Sequence, residues 1–505
     1  MNKIHLSKSK YCKCVQCEKI LWLEEHHPEC AKEDENKAPV FETGRKVGEL
    51  AKGLFGNYID IPYNKNLSIM IEKTKELMQN KPNIITEASF SYDNNFCSVD
   101  ILKNDVDGVE INEVKSATEV KPYHLDDVAY QYFVLSNIGL NVKKVFIVYL
   151  NNETYTRGKE LDINQLFNKE DVTQIAQEKQ VEVKRNINRV NNVMEVYNSD
   201  KEPETDIGPY CLDKKRFNQC VFWEYCTRDL PKPNVFDIAN MGNDKKFKKY
   251  YEGKITFKDL ENDKDITTDR FVQQIDFELH NRKPAIDKEE IKKILDNLKY
   301  PLYFIDYESL QYAIPQLEKT KAYQQIPFQY SLHIIQEKDA PIEHKEFLAD
   351  IDDENMIRTF AENMIKDMPE EGSVIIYNSS FEPPRNREIG EMYPDLKEEM
   401  ERINSNIVDF MAPFQKRQYY TKEMEGSYSI KKVLPALFPN DPELNYANLP
   451  LVHNGVEAPI EFMDLKDKTP EKQIKVREGL LKYCELDTYA MVKIWEKFKE
   501  VTIDD

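Results

Sequence analysis

Two sets of acidic residues, far apart in the sequence, have the spacing of metal-dependent sites that cleave phosphodiester bonds. In the first set, Asp100 precedes Glu113 and Lys115, and the latter two alternate along a run typical of a β-strand. Side chains two residues apart on a strand point to the same face, so Glu113 and Lys115 point together. Carboxylates of this kind hold Mg²⁺ or Mn²⁺ through oxygen ligands, and a neighbouring lysine can orient the attacking water and stabilise charge on the phosphate.

The second set begins with Asp306 and Glu308, which again alternate in a strand-like run. Tyr483 and Asp487 are four residues apart in a periodic run, so they lie on one side of a helix. Two carboxylates from a strand and one from a distant helix can hold two metal ions that bracket the attacking and leaving oxygens, and the tyrosine can align the water. The two sets together predict two nuclease sites in one chain.

Both sets need an α/β framework to position them. The first half has strand-like runs, rich in β-branched and aromatic residues, at 84–92, 97–103, 108–115 and 143–150, with a helical run at 123–140. The second half has strand-like runs at 303–309, 328–335, 344–349 and 373–378, with helical runs at 354–365 and 477–498. The alternation of strands with helices predicts the α/β class for both halves.

Length and charge narrow the class of protein. A chain of 505 residues is too long for one ordinary core. A net charge of -20 argues against coating nucleic acid through bulk positive charge, so any nucleic-acid path must be local. No apolar run approaches the roughly 18 residues needed to span a membrane. We therefore expect a soluble, cytoplasmic protein without a membrane partner, whose nine cysteines are metal ligands or reduced thiols.

The first set resembles the PD-(D/E)xK nucleases of the RecB type. In that family a helix with Gln-x-x-x-Tyr follows the Glu-x-Lys strand; here Gln131 takes the place of the glutamine, and Tyr132 follows it directly. Many members have a histidine on an early helix, where this sequence offers Glu49. The resemblance implies a restriction-endonuclease-like domain with Asp100 and Glu113 as metal ligands. By the same resemblance the catalytic residues are Asp100, Glu113, Lys115 and Gln131.

The cysteines of the first half resemble the ligands of an iron–sulfur cluster. Cys211, Cys220 and Cys226 are similar to the C-terminal triplet of RecB-type nucleases that carry a 4Fe-4S cluster, and Cys17 lies where those proteins place the fourth ligand. Cys14-x-x-Cys17 is also compatible with the start of a zinc site. Either metal would be structural rather than catalytic.

The second set resembles the DEDD exonucleases, which have a ribonuclease H-like fold. Asp-x-Glu followed by Tyr-x-x-x-Asp is the family's pattern, and Asn378, Phe381 and Glu382 supply its middle motif, with glutamate where the family has aspartate. The resemblance covers nearly all of residues 296–500. It implies metal ligation by Asp306, Glu308 and Asp487, and catalytic roles for Asp306, Glu308, Glu382, Tyr483 and Asp487.

The combined layout is similar to a bacterial family of uncharacterised fused proteins. It implies a RecB-type nuclease domain with a cysteine cluster at 1–230, a charged helical connector at 231–295 and a ribonuclease H-like exonuclease domain at 296–505. The expected function is Mg²⁺- or Mn²⁺-dependent hydrolysis of DNA, from ends and on single strands. The alternatives are an RNA-trimming exonuclease and a nucleic-acid-binding scaffold in which one or both sites are inactive. Basic runs at 245–254 and 416–422 and the pair at 431–432 are candidate phosphate contacts, or solvated faces.

Overall fold

The computed structural model describes residues 6–32, 37–80, 82–197, 201–214 and 219–503. The chain forms two compact units, Met1–Leu230 with Tyr312–Tyr323, and Pro231–Gln311 with Gln324–Asp505. Both units combine β-sheets with helices, which confirms the α/β class. Residues 231–295 are part of the second unit. Among the described residues, no helix combines the length and hydrophobicity that crossing a membrane requires.

The first unit is built on a sheet of seven strands. The strands are β1 (Leu6–Ser7), β2 (Ile59–Asp60), β3 (Ile84–Tyr92), β4 (Asn95–Asp105), β5 (Gly108–Lys115), β6 (Val142–Leu150) and β7 (Phe167–Asp171). The helices are α1 (Lys8–Gln16), α2 (Lys19–His26), α3 (Lys37–Lys52), α4 (Leu67–Asn80), α5 (Pro122–Asn137), α6 (Ile163–Leu166), α7 (Thr173–Glu178), α8 (Gln180–Tyr197) and α9 (Trp223–Cys226).

The sheet order of the first unit is β2-β3-β4-β5-β6-β7, and β1 pairs with the start of β4. Strands β3, β4 and β5 are antiparallel, whereas β5 and β6 are parallel and are joined through α5, as parallel neighbours require a crossover. Helix α5 buries Val128 and Leu135, seven residues apart, in the same core as Val99 and Ile111 of the sheet. Polar side chains of the same helix contact the last residues of β5.

The second unit contains a five-stranded sheet and a two-stranded ribbon. The strands are β8 (Ala285–Ile286), β9 (Leu302–Gln311), β10 (Gln325–Ile335), β11 (Glu343–Leu348), β12 (Ser373–Ile376), β13 (Ile407–Asp409) and β14 (Tyr419–Tyr420). The helices are α10 (Asn243–Tyr251), α11 (Phe257–Leu260), α12 (Asp269–His280), α13 (Lys288–Asp296), α14 (Met356–Asp367), α15 (Glu382–Met392), α16 (Lys397–Ser405), α17 (Ala412–Gln415), α18 (Ile430–Leu437), α19 (Glu457–Met463) and α20 (Pro470–Thr502).

The larger sheet of the second unit has the order β11-β10-β9-β12-β13. Its first three strands are antiparallel, and β12 and β13 continue parallel to β9. Leu302 and Phe304 share a core with residues of α20, and the ring centroids of Phe304 and Trp495 are 6.1 Å apart. Because side chains alternate along a strand, Asp306 and Glu308 follow on the face of β9 that is turned to α20.

Candidate active sites

Three carboxylates meet in the second unit. Asp306 and Glu308 on β9 and Asp487 on α20 each place one oxygen within 4.8 Å of the others. Glu308 is only 7% exposed and Asp487 8%. Tyr483 lies one helical turn before Asp487 and lines the same cavity, whose volume is about 410 Å³. The structure therefore brings together four of the five residues that the sequence predicts for this site.

The fifth predicted residue, Glu382, is the first residue of α15 and is 2% exposed. Its Oε2 is buried without a hydrogen-bond partner. Burial, with the charges of Asp409 and Asp487, raises the pKa of Glu382 to about 8. Glu382 in turn contributes to the raised pKa of Asp306. It thus belongs to the same acidic cluster by charge and carries an oxygen that is still available to a ligand.

Asp409 positions the loop that leads to Glu382. It accepts hydrogen bonds from the backbone N–H groups of Asn378 at 3.0 Å, Ser379 at 2.8 Å and Met411 at 2.8 Å. Asn378 has a φ of 94°, a backbone conformation that residues other than glycine rarely adopt. Asp409 therefore holds a strained turn in place beside the acidic cluster.

Burial and mutual repulsion make the cluster costly to ionise. Burial, followed by the charge of Asp487, raises the pKa of Asp306 and of Glu308 well above the ordinary range. Burial raises the pKa of Asp487 to about 6, although a hydrogen bond from Tyr446 and the charge of Lys431 oppose the shift. Like charges crowded at a buried site favour protonation or a bound cation. Since every group is an oxygen donor, the residues present fit Mg²⁺ or Mn²⁺.

Two further residues belong to this site, and one of them, Tyr446, has no recognisable signal in the sequence. Tyr446 donates a hydrogen bond of 2.5 Å to Asp487, but it lies in a short 3₁₀ turn whose position only the fold determines. Lys431, in the basic pair predicted to contact phosphate, lines the cavity, and its charge opposes the upward pKa shifts of Glu308 and Asp487. Its charge thus acts on the carboxylates of the acidic cluster from within the same cavity.

The first unit assembles the other predicted set around Glu113, which is 1% exposed. The Glu113 carboxylate accepts hydrogen bonds from Lys115 at 2.7 Å and from Gln131 of α5 at 2.6 Å. Asp100, on the neighbouring strand, accepts a hydrogen bond from the backbone N–H of Val114 at 2.7 Å. Burial and the charge of Glu113 raise the pKa of Asp100 to about 7. All four predicted residues of the first set therefore lie at one place.

A second lysine enters this site from the first turn of α1. The Lys8 ammonium donates to Glu113 at 2.7 Å and lies 3.3 Å from Asp127, which also pairs with Lys115. Burial opposes ionisation of Glu113, but Lys115 and Lys8 outweigh it and hold the pKa of Glu113 below its ordinary value. The Lys8 ammonium thus lies where it would compete with a divalent cation for the Glu113 carboxylate.

Neighbouring residues complete the surroundings of the first site. Glu87 on β3 has a φ of 56°, and burial raises its pKa. Glu49, at the early-helix position, instead pairs with Lys52 at 2.8 Å and is largely exposed. His124 is buried and accepts a hydrogen bond from the backbone N–H of Lys121, so it caps α5. Strained backbone of the kind found at Glu87 is concentrated at functional sites. The alternation of residues along the strand does not by itself predict this strain.

The four cysteines of the predicted cluster are neighbours in the first unit. Burial raises the pKa of Cys211 to about 12, and Cys220, Cys17 and Cys226 all contribute to the shift. The backbone N–H of Cys220 donates to the carbonyl of Cys211 at 2.9 Å. These thiols, all among the described residues, are not within the 4.8 Å spacing at which three ligands surround one ion. In a tetrahedral zinc site the sulfurs are about 3.8 Å apart, since Zn–S bonds are about 2.3 Å.

Most lysines of the predicted basic runs are neutralised by acidic partners. In α10, Lys249 is 1% exposed and pairs with Asp263 at 2.9 Å and Asp265 at 2.8 Å. Lys422 pairs with Glu278, and Lys432 with Glu425. These contacts indicate that such lysines stabilise the second unit, whereas Lys431 is turned to the cavity.

The fold and its sites define an α/β protein with a buried cluster of carboxylates beside an open cavity. Residues 303–429, which span nearly all of β9 and all of β10 to β14, match a family model described as a domain of unknown function, DUF2779. The chain is also 27% identical over 256 residues to "Uncharacterized protein UU173" of Ureaplasma parvum serovar 3 (strain ATCC 700970), a match that covers 46% of this chain and 36% of that protein. The chain therefore matches about a third of the length of this curated relative. No solved structure matches the chain significantly.

Proposed function

We propose that the protein is a metal-dependent nuclease that hydrolyses DNA, with the acidic cluster of the second unit as its cleaving site. The observation that carries the proposal is the convergence of Asp306, Glu308 and Asp487 at a cavity, with pKa values raised by burial and repulsion. Such a cluster does not stabilise the folded protein, because burying like charges close together is unfavourable. The binding of divalent cations is a function that explains why three carboxylates are buried together.

The topology of the second unit supports the proposed ribonuclease H-like identity. Three antiparallel strands are continued by two parallel strands. The acidic residues lie on the central strand, β9, and on α20, the helix that packs against it. Asp306, Glu308 and Asp487 would hold the metal, with Glu382 as a further oxygen ligand. Bound Mg²⁺ or Mn²⁺ supplies Lewis acidity and neutralises charge on the phosphate.

The remaining residues of this site bind and orient the reactants. Lys431 attracts the phosphate backbone to the cavity mouth. The Tyr483 hydroxyl lies beside the carboxylates and can hold the attacking water, whereas Tyr446 keeps Asp487 in position through its hydrogen bond. Phe381 lines the same cavity and offers a ring on which an unpaired base can stack, which favours a single-stranded substrate. Because DEDD-type domains act on both polymers, RNA is the alternative substrate.

Degradation of end-labelled single-stranded DNA with Mn²⁺ tests this function. We expect Asp306→Asn, which keeps the shape of the side chain and removes its charge, to reduce the cleavage rate at least about 100-fold, equivalent to about 2.7 kcal/mol. Asp395→Asn is the matched control, because Asp395 is an exposed aspartate of the same unit that pairs with Arg358. An RNA of the same sequence, assayed in parallel, reports the preferred polymer. Absence of cleavage of both polymers by the wild-type protein would support the scaffold alternative.

The first unit is proposed to be a RecB-type domain that binds nucleic acid, with Asp100, Glu113, Lys115 and Gln131 forming its largely buried candidate site. The contacts of Lys8 with Glu113 and Asp127 favour binding over metal-dependent cleavage at this site. In the nuclease assay, Lys115→Ala is therefore expected to weaken DNA binding and to leave the product pattern of the second site unchanged. Loss of a distinct set of products in Lys115→Ala would instead indicate two cleaving sites.

We further propose that Cys17, Cys211, Cys220 and Cys226 hold a 4Fe-4S cluster, with zinc as the alternative. Their mutual effect on pKa indicates that the four thiols lie close together, and the resemblance of their order to that of RecB-type nucleases favours the 4Fe-4S cluster. We expect protein purified without oxygen to contain about four iron atoms per chain and to absorb visible light, and Cys226→Ser to lose both properties. Cys97, buried on β4, gives the control variant Cys97→Ala. Zinc in place of iron, lost in the same variant, would favour the alternative.

A further inference from the structure

Two histidines and a glutamate of the second unit converge away from the acidic cluster. His333 on β10 and His344 on β11 are direct cross-strand partners, with ring centroids 4.6 Å apart. Glu485 approaches them from α20, and one potential ligand atom of each residue lies within 4.8 Å of the others. His333 is 5% exposed, whereas His344 and Glu485 lie at the surface. The group is therefore anchored on its inner side and open on its outer side.

Two hydroxyl groups fix the orientation of the imidazole rings. His333 Nδ1 is 2.8 Å from the hydroxyl of Thr488, and His344 Nε2 is 2.9 Å from that of Ser331. The two hydroxyls are 2.7 Å apart and also interact with each other. Histidines that bind metals usually have their second ring nitrogen held by a hydrogen bond in this way. The nitrogens that remain to meet a ligand are Nε2 of His333 and Nδ1 of His344.

The separation across the group leaves room for a cation. His344 Nδ1 and Glu485 Oε1 are 3.9 Å apart, which is too far for a hydrogen bond. Two metal–ligand bonds of about 2.1 Å sum to about 4.2 Å, so one ion can contact both atoms. We propose that His333, His344 and Glu485 bind a Zn²⁺ ion, with solvent as its remaining ligand. The inference rests on this geometry and is independent of the proposed nuclease function.

The donor set separates this site from the acidic cluster. Two imidazoles and one carboxylate suit zinc, whereas Mg²⁺ prefers oxygen ligands alone. His333 is 5% exposed, and burial favours the neutral imidazole, which is the form that binds metals. An ion at this position joins the β10–β11 hairpin to α20, the helix that also carries Tyr483 and Asp487. Zinc would therefore stiffen the support of the acidic cluster without touching its ligands.

Zinc content of the full-length chain tests the proposal. The protein is stripped with a chelator, loaded with Zn²⁺ and separated from free ions by gel filtration. We expect His344→Ala to retain one Zn²⁺ fewer per chain than the wild type. The control is His280→Ala, because His280 is a surface histidine of the same unit that pairs with Glu261 at 2.5 Å. Equal zinc contents in wild type and His344→Ala would overturn the proposal.

The absorption spectrum of bound Co²⁺ distinguishes this site from sites with sulfur ligands elsewhere in the chain. Co²⁺ bound by two imidazoles and a carboxylate gives visible bands without sulfur-to-cobalt charge transfer. We expect these bands to disappear in His344→Ala and to require about tenfold more Co²⁺ in Glu485→Gln, a surface substitution that preserves the fold. Spectra that are identical in wild type and both variants, with only sulfur charge transfer present, would place the bound metal at the cysteines and contradict the proposal.

Discussion

Asp306→Asn is expected to raise the melting temperature of the metal-free protein and to abolish most of its stabilisation by Mn²⁺. In EDTA the wild-type protein must keep Asp306 protonated or accept repulsion from Asp487, Glu382 and Glu308. Asparagine removes that cost, and each kcal/mol gained raises the melting temperature of a unit of this size by roughly 2 to 4 °C. With Mn²⁺ at about 100 times its dissociation constant, the free energy of unfolding of the wild type rises by about 2.7 kcal/mol. The variant lacks one of the metal ligands, so we expect it to lose most of this stabilisation.

The stability that Asp306→Asn gains over the wild type in EDTA should increase with pH. The folded pKa of Asp306 lies above its unfolded value, so the folded wild type binds the proton more tightly and loses stability as pH rises from the unfolded pKa towards the folded pKa. Asparagine does not titrate, and the difference in stability between variant and wild type therefore widens as pH rises from the unfolded pKa of Asp306 towards its raised folded pKa. Differential scanning calorimetry in EDTA and in Mn²⁺ measures both effects, with Asp395→Asn as the control. A variant that is less stable in EDTA would mean that Asp306 has a structural role instead.

The elements that carry the sites were predictable because their signals are local. The run at 108–115 is β5 as the structure has it, and the run at 84–92 is β3, since β-branched residues and alternation mark strands without reference to the rest of the chain. Asp306 and Glu308 were placed on one face by the same alternation. The four-residue spacing of Tyr483 and Asp487 likewise required only the periodicity of a helix.

The contacts that decide the chemistry depend on tertiary structure and left no such signal. Lys8 follows a two-residue strand in a polar segment, and only the pairing of that strand with β4 brings its ammonium to Glu113. The pairing of His333 with His344 depends on the register of β10 and β11, which a strand pattern does not determine. Tyr446 reaches Asp487 from a turn 41 residues earlier in the chain. Long-range register and loop paths thus mark the limit of prediction from this sequence.

Lys8→Ala is expected to destabilise the first unit in EDTA and to create a site for Mn²⁺ there. The Lys8 side chain is 24% exposed and pairs with Glu113 and Asp127, so its loss leaves buried carboxylates with one cation fewer. Removing one partner of a buried pair costs about 3 to 5 kcal/mol, and the partial exposure of Lys8 reduces this to about 2 kcal/mol. Lys13→Ala is the control, since Lys13 lies on the same helix in an exposed pair with Glu24.

Titration calorimetry with Mn²⁺ in an Asp306→Asn background isolates this effect, because the acidic cluster of the second unit is then impaired. We expect the Lys8→Ala double variant to bind one Mn²⁺ more per chain than Asp306→Asn alone, and the bound ion to restore the stability lost in EDTA. The oxygen atoms of Asp100, Glu113 and Asp127 then meet a divalent cation in place of an ammonium. If Asp306→Asn alone binds this Mn²⁺ equally well, the ammonium yields readily to the metal, and the first unit is a second metal-dependent site. If only the double variant binds it, Lys8 is the residue that separates a binding module from a nuclease.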